Sequence, residues 1–533
     1  MILRGSLGKR AASVALFVFC AVAEAREAAV AKRYMVAAAH PLAVEAGTQM
    51  LAKGGTALDA AIAVQMVLGL VEPESSGIGG GAFLLYWSEK EAKLRSYDGR
   101  ETAPAAAKPD RFQNMKFFEA AVGGRSVGVP GVVAMLQVAH RQHGRLEWSE
   151  LFQPAIRIAE QGFDVSPRLR ELLATEKYLR EDAEARALYY SGGKRVVNQA
   201  YATTLRKLAL DGGALYRGEI ASDIVRAVQA RGGDLTLRDL AAYKAIEREP
   251  VCGPYRQYRV CSMGPPSAGG IAVLQILGIL ERTGFDKAPP RSPQAAHLFA
   301  EAGRLAYADR ARYGGDADFV PVPVARLLSG AYLDRRAKLV GERAMRLAPP
   351  GDTEASGTSH FSIVDAEGNV VSMTTTIESS FGSRVMARGF HLNNELTDFD
   401  FMPGGANQVA PGKRPRSSMA PVIVFDRDGR VRLALGSPGG PWIINYVAKA
   451  LVGMLDWKLD AQAAIDLPNF GNRNGPTVFE EGAAPATLIE ALKARGHETQ
   501  LAPLQSGLHA IERLPDGWRG GADERREGVA LGR

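Results

Sequence analysis

Residues 358–377 read TSHFSIVDAEGNVVSMTTTI, and this stretch decides the fold because two β-rich runs meet at one tight turn, Ala366-Glu367-Gly368. Glycine at the third position of a three-residue loop is typical of a β-hairpin. A hairpin closed there pairs Thr358 with Thr376. The two threonines are therefore predicted to face each other at its open end, within hydrogen-bond reach across the strands.

The segment before the hairpin, residues 347–357 (LAPPGDTEASG), is rich in Pro, Gly, Ser and Thr and is predicted to be an exposed linker. Thr358 follows the small residue Gly357, so its hydroxyl can attack the preceding carbonyl and cut the Gly357–Thr358 bond. The cut would leave Thr358 as a new N-terminus. A free α-amine has a pKa of about 7.7–8.0, close enough to neutrality to serve as base for its own hydroxyl. Thr358 is therefore the candidate nucleophile.

Upstream of the linker, helical and strand periodicities follow one another. A glycine-rich run at 73–81 (PESSGIGGG) leads into an apolar strand at 82–87. Because phosphate-binding glycines open a helix, this run is predicted to be a tight loop that exposes backbone rather than a phosphate site. Helices are predicted at 43–53, 59–70, 271–282 and 293–312, a mainly helical region at 126–243, a strand region at 249–263, and short β-rich runs after the linker.

Length and composition indicate a globular chain. Its 533 residues are 46% hydrophobic and 23% charged, which suffices to bury one large core or two. The net charge of +7 and pI near 9.2 do not indicate nucleic-acid binding, because Lys and Arg are spread among nearly as many acids and no basic tract carries interleaved aromatics.

The N-terminus has the three parts of a secretory signal. A basic region at 4–10 precedes an apolar stretch at 11–22 that is too short to span a bilayer comfortably, and Ala23-Glu24-Ala25 forms a small-x-small cleavage site. Residues 1–25 are therefore predicted to be removed, giving a periplasmic or secreted protein without a stable membrane span. An uncleaved membrane anchor is the alternative.

Two cysteines remain after signal removal, Cys252 and Cys261, on either side of a Tyr-rich strand-like segment. An oxidising compartment permits a disulfide between them. Two buried free thiols are an equally supported alternative, because sequence does not give the Cα separation. His140 and His143 have a metal-like spacing without a third ligand, so a solvated helix face is predicted there rather than a metal site.

Beyond the hairpin, several separated motifs resemble the γ-glutamyltransferase family of N-terminal-nucleophile hydrolases, from about residue 35 to the C-terminus. They are EPESSGIGGGAFLLYW (72–87), DGRETAP (98–104), LAYADRARYGGD (305–316), GTSHFSIVD (357–365), FGSRV (381–385), LNNELTDF (392–399), RPRSSMAP (414–421), GSPGG (436–440) and ADERREG (522–528). The resemblance implies an α+β fold, a four-layer αββα sandwich. It implies a large subunit, 26–357, and a small subunit, 358–533, that stay together after self-cleavage. It implies no metal or organic cofactor.

The same resemblance assigns catalytic roles. Thr358 matches the nucleophile, and Thr376 matches the second threonine that orients it. Gly439 and Gly440 match the glycines whose backbone N–H groups form the oxyanion hole.

Substrate-binding roles follow in the same way. Arg100 matches the arginine that holds the α-carboxylate of a γ-glutamyl donor, a task that suits its planar fork of donors. Ser417 and Ser418 match serines that help to bind that carboxylate. Glu395 and Asp398 match the acidic positions around the donor's α-ammonium. Together they supply opposite charges for a zwitterionic amino-acid head group.

The chain departs from the best-known glutathione-processing members at two places. Glu378 stands where those members have Asn in a T-x-N motif, and a carboxylate there would hydrogen-bond the nucleophile or the donor and raise the pKa of the nucleophile's amine or alter substrate choice. Only 18 residues separate Asp398 from Ser417, fewer than in members with a lid loop, which predicts a more open cleft for bulkier acceptors or acyl groups.

The resulting prediction is a self-processing γ-glutamyl hydrolase and transpeptidase. It would pass the γ-glutamyl group of glutathione-like amides through a Thr-linked ester to water, an amino acid or a peptide. A glutaryl or cephalosporin-type acylase of the same fold is the alternative, because glutaryl and γ-glutamyl groups share a length and differ in the α-amine; Glu395 and Asp398 favour the ammonium-bearing donor. A non-catalytic binding homologue is a more remote alternative, against which the threonine pair argues.

Overall fold

The computed structural model of the chain describes residues 27–345 and 357–533, so the predicted signal and most of the predicted linker lie outside the described residues. Two seven-stranded antiparallel sheets organise the molecule. The hairpin sheet, named for the hairpin that begins at Gly357, has the strand order Val529–Gly532, Met35–Ala38, Gly357–Val364, Val370–Glu378, Gly81–Ser88, Lys93–Gly99, Ile246–Arg248. The facing sheet has the order Ala29–Ala31, Gly517–Ala522, His509–Leu514, Val431–Gly436, Val422–Phe425, Tyr258–Ser262, Val251–Tyr255.

Apolar side chains fill the space between the two sheets. Leu85 and Trp87 come from the hairpin sheet, and Ile423 and Phe425 from the facing sheet. The rings of Trp87 and Phe425 meet edge to face with their centroids 4.8 Å apart. Such inward-facing residues alternate with outward-facing ones along each strand, so each sheet needs a second apolar partner on its outer face.

A helical layer covers the outer face of each sheet. Against the hairpin sheet pack helices Pro41–Ala52, Ala57–Val71, Val132–His143, Gln153–Gln161, Pro167–Thr175, Ala183–Tyr189, Gln199–Leu210, Gly218–Ala230 and Leu237–Ala242. Against the facing sheet pack Gly269–Leu280, Pro293–Tyr313, Gly330–Ala337, Ile443–Leu455 and Ala461–Asp466. The order helix, sheet, sheet, helix is the predicted αββα sandwich, and the α+β fold class is confirmed.

Smaller elements complete the described chain. Helices Phe117–Ala121, Val324–Leu327 and Ala486–Ala494 lie outside the two layers named above, and short strands pair as Phe163–Asp164 with Arg195–Val196, Met386–Ala387 with Phe390–His391, and Phe470–Asn472 with Thr477–Glu480 and Thr499–Ala502. Among the described residues, no helix has the length and apolar character needed to cross a membrane.

The helix Ala57–Val71 shows how local sequence places an element. Thr56 and Asp59 form a capping box in which each side chain accepts a hydrogen bond from the other's backbone N–H. This cap satisfies donors that a helix N-terminus leaves without partners, so the helix begins two residues before the predicted position. Every residue of the helix is buried, which matches its apolar composition.

The predicted hairpin and its register are confirmed. Strands Gly357–Val364 and Val370–Glu378 pair with Thr358 opposite Thr376, and Gly368 closes the turn with φ of +89°, a backbone conformation that favours glycine. Phe361 packs toward the helical layer. Because side chains alternate along a strand, Thr358 points to the other face, between the sheets.

The disulfide prediction is settled in favour of the bond. Cys252 and Cys261 pair directly across strands Val251–Tyr255 and Tyr258–Ser262, with Cα atoms 4.1 Å apart, and their sulfurs are joined. The alternative of two free thiols is therefore wrong.

The predicted solvated face at His140 and His143 is also wrong. His143 stacks on Tyr86 with ring centroids 4.1 Å apart, and its Nε2 lies 2.7 Å from the Tyr97 hydroxyl. His140 Nε2 contacts the Leu146 carbonyl at 3.0 Å. Both histidines are half-buried packing residues, and helical spacing alone did not show the aromatic neighbours that strands 81–88 and 93–99 contribute.

Candidate active site

A cleft lies at the open end of the hairpin, between the edges of the two sheets. The cleft is lined by Arg100, Thr358, Thr376, Glu378, Glu395, Asp398, Ser417, Ser418, Met419, Gly440, Pro441 and Ile443. Nine of these twelve were predicted from sequence as site residues. Gly357 and Gly439, the other two predicted positions, directly precede the lining residues Thr358 and Gly440.

The two threonines form a hydroxyl pair. Thr358 Oγ1 and Thr376 Oγ1 lie 3.3 Å apart, and both residues are at least 97% buried. The backbone N–H of Glu378 donates to Thr376 Oγ1 at 2.8 Å. This bond fixes the position of the Thr376 oxygen, and either of the two threonine hydroxyls can donate to the other.

The backbone around Thr358 is held by side chains from distant parts of the chain. Arg526 Nη1 donates to the Thr358 carbonyl at 2.9 Å. The next residue, Ser359, donates its hydroxyl to Glu72 Oε2 at 2.7 Å. Burial and the neighbouring Glu74 carboxylate raise the pKa of Glu72 to about 7. Arg526 and Glu72 therefore hold the chain in place at Thr358 and at the residue after it.

The glycine-rich run at 73–81 supports the second threonine. Gly80 packs so closely on strand Val370–Glu378 that a β-carbon on it would lie 2.0 Å from the Thr376 carbonyl oxygen. Gly80 also accepts a hydrogen bond from Gly131 N at 2.9 Å. The run is the predicted tight loop. Its residue Gly80, which has no side chain, contacts the strand that carries Thr376 through its backbone.

Gly440 lines another part of the cleft, and Gly439 directly precedes it. Their φ angles are +128° and +51°, and Gly440 begins the 3₁₀ turn Gly440–Trp442 that leads into helix Ile443–Leu455. The first N–H groups of a helix have no intrahelical acceptor and carry the positive end of its dipole. Backbone N–H groups at such a position suit a developing oxyanion, and the oxyanion-hole role of these glycines stays a prediction.

Arg100 also lines the cleft, and its guanidinium is held by two acids and two backbone carbonyls. Its Nη1 pairs with Glu395 and its Nη2 with Asp398. Its Nε donates to the Pro415 carbonyl at 3.1 Å, and Nη2 also donates to the Arg416 carbonyl at 3.1 Å. The guanidinium assigned to a substrate carboxylate is thus paired with the two acids assigned to a substrate ammonium.

A second buried acid, Glu101, lies beneath this cluster. Burial raises the pKa of Glu101 well above its usual range, and the neighbouring Glu395 carboxylate raises it further. Burial also raises the pKa of Glu395 to about 7, with Arg100 acting in the opposite direction. Burial and Glu395 thus both disfavour the charged form of Glu101, which was not among the predicted site residues.

Glu378 ends the hairpin at the cleft. Its φ is +77°, its side chain accepts a hydrogen bond from Asn394 Nδ2, and its register partner is Gly357. Glu378 is the last residue of the strand Val370–Glu378. The carboxylate lines the same cleft as Thr358.

Ser417 and Ser418 line the wall between these groups. Ser417 Oγ accepts a hydrogen bond from Met419 N at 3.1 Å, and Ser418 Oγ accepts one from Arg310 Nη2 at 2.7 Å. The short segment that precedes them folds back on the site, where Asn407 donates to the Asp398 carbonyl at 2.7 Å. The more open cleft expected from its shortness stays a prediction.

Several residues that contact the predicted site residues or their neighbours were not predicted from the sequence. They are Glu72, Glu101, Arg310, Asn394 and Arg526. Each lies inside a family motif, respectively in residues 72–87, 98–104, 305–316, 392–399 and 522–528. Charged and amide residues within those motifs were the available signal, but their partners lie far away in sequence.

A four-layer αββα sandwich with a threonine near the start of a central strand defines the class of N-terminal-nucleophile hydrolases. Within that class, the family model described as gamma-glutamyltranspeptidase matches residues 43–533. The chain belongs to the γ-glutamyltranspeptidase family.

The individual relatives are named either as glutathione hydrolases or as acylases. The glutathione hydrolase proenzyme of Bacillus subtilis (strain 168) is 36% identical, with 96% of this chain and 93% of the relative covered. The acylase ACY 1 proenzyme of Pseudomonas sp. (strain SE83) is also 36% identical, with 92% and 91% covered. The crystal structure of cephalosporin acylase from Bacillus halodurans matches with a TM-score of 0.86 and 28% identity, covering 100% of this chain and 99% of that one. Sequence identity alone therefore does not distinguish between glutathione hydrolase and acylase activity.

Proposed function

We propose that this chain is an exported, self-cleaving γ-glutamyl hydrolase and transpeptidase that acts on glutathione-like amides. The observation that carries the proposal is the buried pair of Thr358 and Thr376 hydroxyls, 3.3 Å apart, in one cleft with the Gly440 backbone and a charged head-group cluster. A nucleophile, an oxyanion site and opposite charges for an amino-acid head group are what the reaction needs.

Self-cleavage comes first. The Thr358 hydroxyl attacks the Gly357 carbonyl, the peptide bond to the Thr358 nitrogen breaks, and water resolves the resulting ester. The products are a large subunit ending at Gly357 and a small subunit beginning at Thr358. Relatives named as proenzymes support a processed precursor.

Turnover uses the amine that cleavage releases. The Thr358 hydroxyl attacks the γ-amide carbonyl while its proton passes to the α-amine and then to the leaving amine. Backbone N–H groups at Gly439 and Gly440 stabilise the tetrahedral oxyanion. Water, an amino acid or a peptide then cleaves the acyl ester and regenerates the hydroxyl.

Charge supports a γ-glutamyl donor over the glutaryl alternative. Glu378, Glu395 and Asp398 all line the cleft with Arg100. Three acidic side chains around one guanidinium suit a donor that carries an ammonium group. A glutaryl acyl group offers only a carboxylate.

The Cys252–Cys261 disulfide supports export. Structural disulfides form and persist in oxidising compartments such as the periplasm or the medium and are rare in the cytosol. We therefore place the mature protein in the periplasm or outside the cell, after removal of residues 1–25.

Purified wild-type protein tests the proposal. Denaturing gels with N-terminal sequencing should show a small subunit that starts at Thr358, and the protein should release p-nitroaniline from its γ-glutamyl anilide faster than from the glutaryl anilide. Thr358→Ala should stay uncut and inactive. Thr375→Ala, whose hydroxyl bonds the Gly81 carbonyl on the neighbouring strand, is the matched control and should be cut and active.

Two outcomes contradict the proposal. A different start residue, or activity in an uncut chain, removes the self-cleavage step. Preference for the glutaryl anilide identifies the acylase alternative instead.

A further inference from the structure

Residues 439–442 form a turn at the cleft, called the oxyanion turn here after its predicted role. Gly439 and Gly440 have φ angles of +128° and +51°, and glycines move between backbone conformations at little cost. A hydrogen bond from Trp442 N to the Gly439 carbonyl, 3.0 Å long, closes the turn. An oxyanion site is effective only when its donors are held in place before the reaction. The surroundings of the turn therefore have to fix its N–H groups.

Tyr307 holds this turn from the proposed large subunit. It is buried on helix Pro293–Tyr313, and its hydroxyl donates a hydrogen bond to the carbonyl of Pro441, a residue that lines the cleft. Burial raises the pKa of Tyr307 above its usual value, so the hydroxyl keeps its proton at neutral pH. The Pro441 carbonyl and the Trp442 N–H belong to one planar peptide unit. Tyr307 therefore orients the N–H group that closes the turn.

Asn445 sets the direction of this hydrogen bond. Its Nδ2 donates to the Tyr307 hydroxyl at 3.2 Å. Because an amide NH₂ group only donates and a carbonyl only accepts, the single proton of the tyrosine hydroxyl points to Pro441. Close packing fixes the asparagine in turn, since a β-carbon on Gly471 would collide with Asn445 Oδ1 and one on Gly303 would lie 3.3 Å from it.

A contact from the proposed small subunit fixes the start of the turn. The ring of Tyr446 packs so closely on Gly439 that a β-carbon there would lie 2.6 Å from Tyr446 Cε2. Tyr446 thus constrains the turn at Gly439, and Tyr307 constrains it at Pro441. The N–H of Gly440 lies between these two constrained positions, so its direction depends on both.

We propose that Tyr307 is a positioning residue for turnover: its hydroxyl holds the Pro441 carbonyl so that the backbone N–H groups of the oxyanion turn point at the tetrahedral oxyanion. Asn445 directs that hydroxyl. The inference rests on the proposed function and on the oxyanion role predicted for the two glycines. It gives the large subunit a part in stabilising the oxyanion, although the nucleophile and the turn belong to the small subunit.

Tyr307→Phe removes only the hydroxyl and tests the proposal. Because the oxyanion forms only in the transition state, kcat for the γ-glutamyl anilide should fall about 10-fold with KM unchanged, a smaller loss than the roughly 100- to 1000-fold cost of removing an oxyanion donor. Rates are taken per mole of small subunit counted on denaturing gels, so slower maturation is not read as slower turnover. Tyr313→Phe, at a half-buried tyrosine on the same helix, is the matched control and should keep wild-type rates.

A boronic acid distinguishes positioning from a merely structural role. In the probe, a boronic acid group replaces the γ-carboxyl group of glutamate. The Thr358 oxygen adds to boron while its proton passes to the α-amine, and the boron becomes a tetrahedral anion with an oxygen where the oxyanion forms. The affinity of Tyr307→Phe for this probe should fall in parallel with kcat. Competitive inhibition by glutamate, whose carboxylate stays planar, should not change.

Asn445→Asp tests the direction of the hydrogen bond. A carboxylate at position 445 accepts, so it draws the Tyr307 proton away from the Pro441 carbonyl, and kcat should fall as in Tyr307→Phe. The double variant should show no further fall, because both changes remove the same bond. Asn445→Asp also carries the test, with the same two inhibitors, if Tyr307→Phe does not fold.

The outcomes separate this inference from the proposed function. If the wild type cleaves the γ-glutamyl anilide, then unchanged kcat in Tyr307→Phe, weaker glutamate inhibition or additive losses in the double variant would each overturn the inference alone. If the wild type prefers the glutaryl anilide, the proposed function fails, and a 10-fold fall in kcat on that donor still supports the role of Tyr307. If the wild type cleaves neither anilide, both fail.

Discussion

Glu378 places an acidic side chain beside the bond that is proposed to break. Its backbone N–H holds the Thr376 hydroxyl, its register partner is Gly357, and Asn394 holds its carboxylate. Arg384, a nearby basic residue, donates to Ser379 Oγ at 2.8 Å and pairs with Glu176 at 3.2 Å. The arrangement favours a role for Glu378 at the nucleophile.

The charge of Glu378 should set the pH dependence of turnover. A nearby carboxylate stabilises the ammonium form of the Thr358 α-amine and so raises the pKa of that amine. The amine must be neutral to act as base, so the rising limb of the kcat/KM profile should move toward acid in Glu378→Asn. The pH profile of the mature enzyme with the γ-glutamyl anilide measures the shift.

Glu378→Asp is the matched control for this prediction, because it keeps the charge, and its profile should stay close to that of the wild type. Superimposable profiles for Glu378→Asn and the wild type would show that the carboxylate does not act on the amine.

Sequence identified the residues that are proposed to carry the chemistry but not those that hold them in place. Thr358 and Thr376 follow from the hairpin, because register over a short turn is a local property. Arg310 and Arg526 contact Ser418 and Thr358 across 108 and 168 residues of sequence. Such contacts depend on how helices and sheets pack, which no local pattern encodes. Likewise, the motifs named Arg100, Glu395 and Asp398 without showing that they pair with one another.

At the scale of elements, the glycine-rich loop 73–81 is the piece that sets the strand bearing Thr376. Sequence predicted a tight loop from the strand that follows it, and the structure adds the surface it touches. Gly80 has a strand carbonyl where its β-carbon would be, whereas a β-carbon on Gly77 would meet only Gly69 Cα at 3.7 Å. Close packing therefore requires glycine at position 80, whereas there is room for a β-carbon at position 77.

Alanine substitutions at these two positions should therefore differ in effect. Gly80→Ala forces the loop away from the Thr376 carbonyl, so it should slow self-cleavage and cost about 1–3 kcal/mol, the usual size of overpacking. Gly77→Ala makes an ordinary van der Waals contact and should leave both properties near wild type. Gel assays of cleavage and thermal unfolding measure the two effects. Equal behaviour of the two variants would refute the close approach at Gly80.

At the scale of the whole molecule, both sheets are built from strands on either side of the proposed cleavage site. In the hairpin sheet, Met35–Ala38 pairs with Gly357–Val364, and Gly81–Ser88 pairs with Val370–Glu378. In the facing sheet, Tyr258–Ser262 pairs with Val422–Phe425. Separating the two subunits would break both sheets and the core between them, so cleavage can free Thr358 without releasing either piece.

A buried charge cluster also crosses this boundary. Glu72 and Glu74 come from the proposed large subunit together with Arg168, which lies 3.6 Å from Glu72 and pairs with Glu74. Ser359 and Arg526 belong to the proposed small subunit. The protonation state of Glu72 should therefore affect the stability of the contact between the two proposed subunits.

This proton should make stability depend on pH. The pKa of Glu72 is raised from 4.5 to about 7, mainly by burial, so the folded chain keeps a proton that the unfolded chain has lost over this range. The native state then binds more protons, and the contribution of this group to stability falls as pH rises from about 4.5 to 7.

Glu72→Gln keeps an oxygen for the Ser359 hydroxyl and does not titrate. The Tm of the wild type should therefore fall more steeply than that of Glu72→Gln between those pH values, while Glu171→Gln, at an exposed position, should follow the wild type. Thermal unfolding of all three proteins across this range provides the comparison, and parallel curves for wild type and Glu72→Gln would mean that Glu72 is ionised throughout in the folded protein.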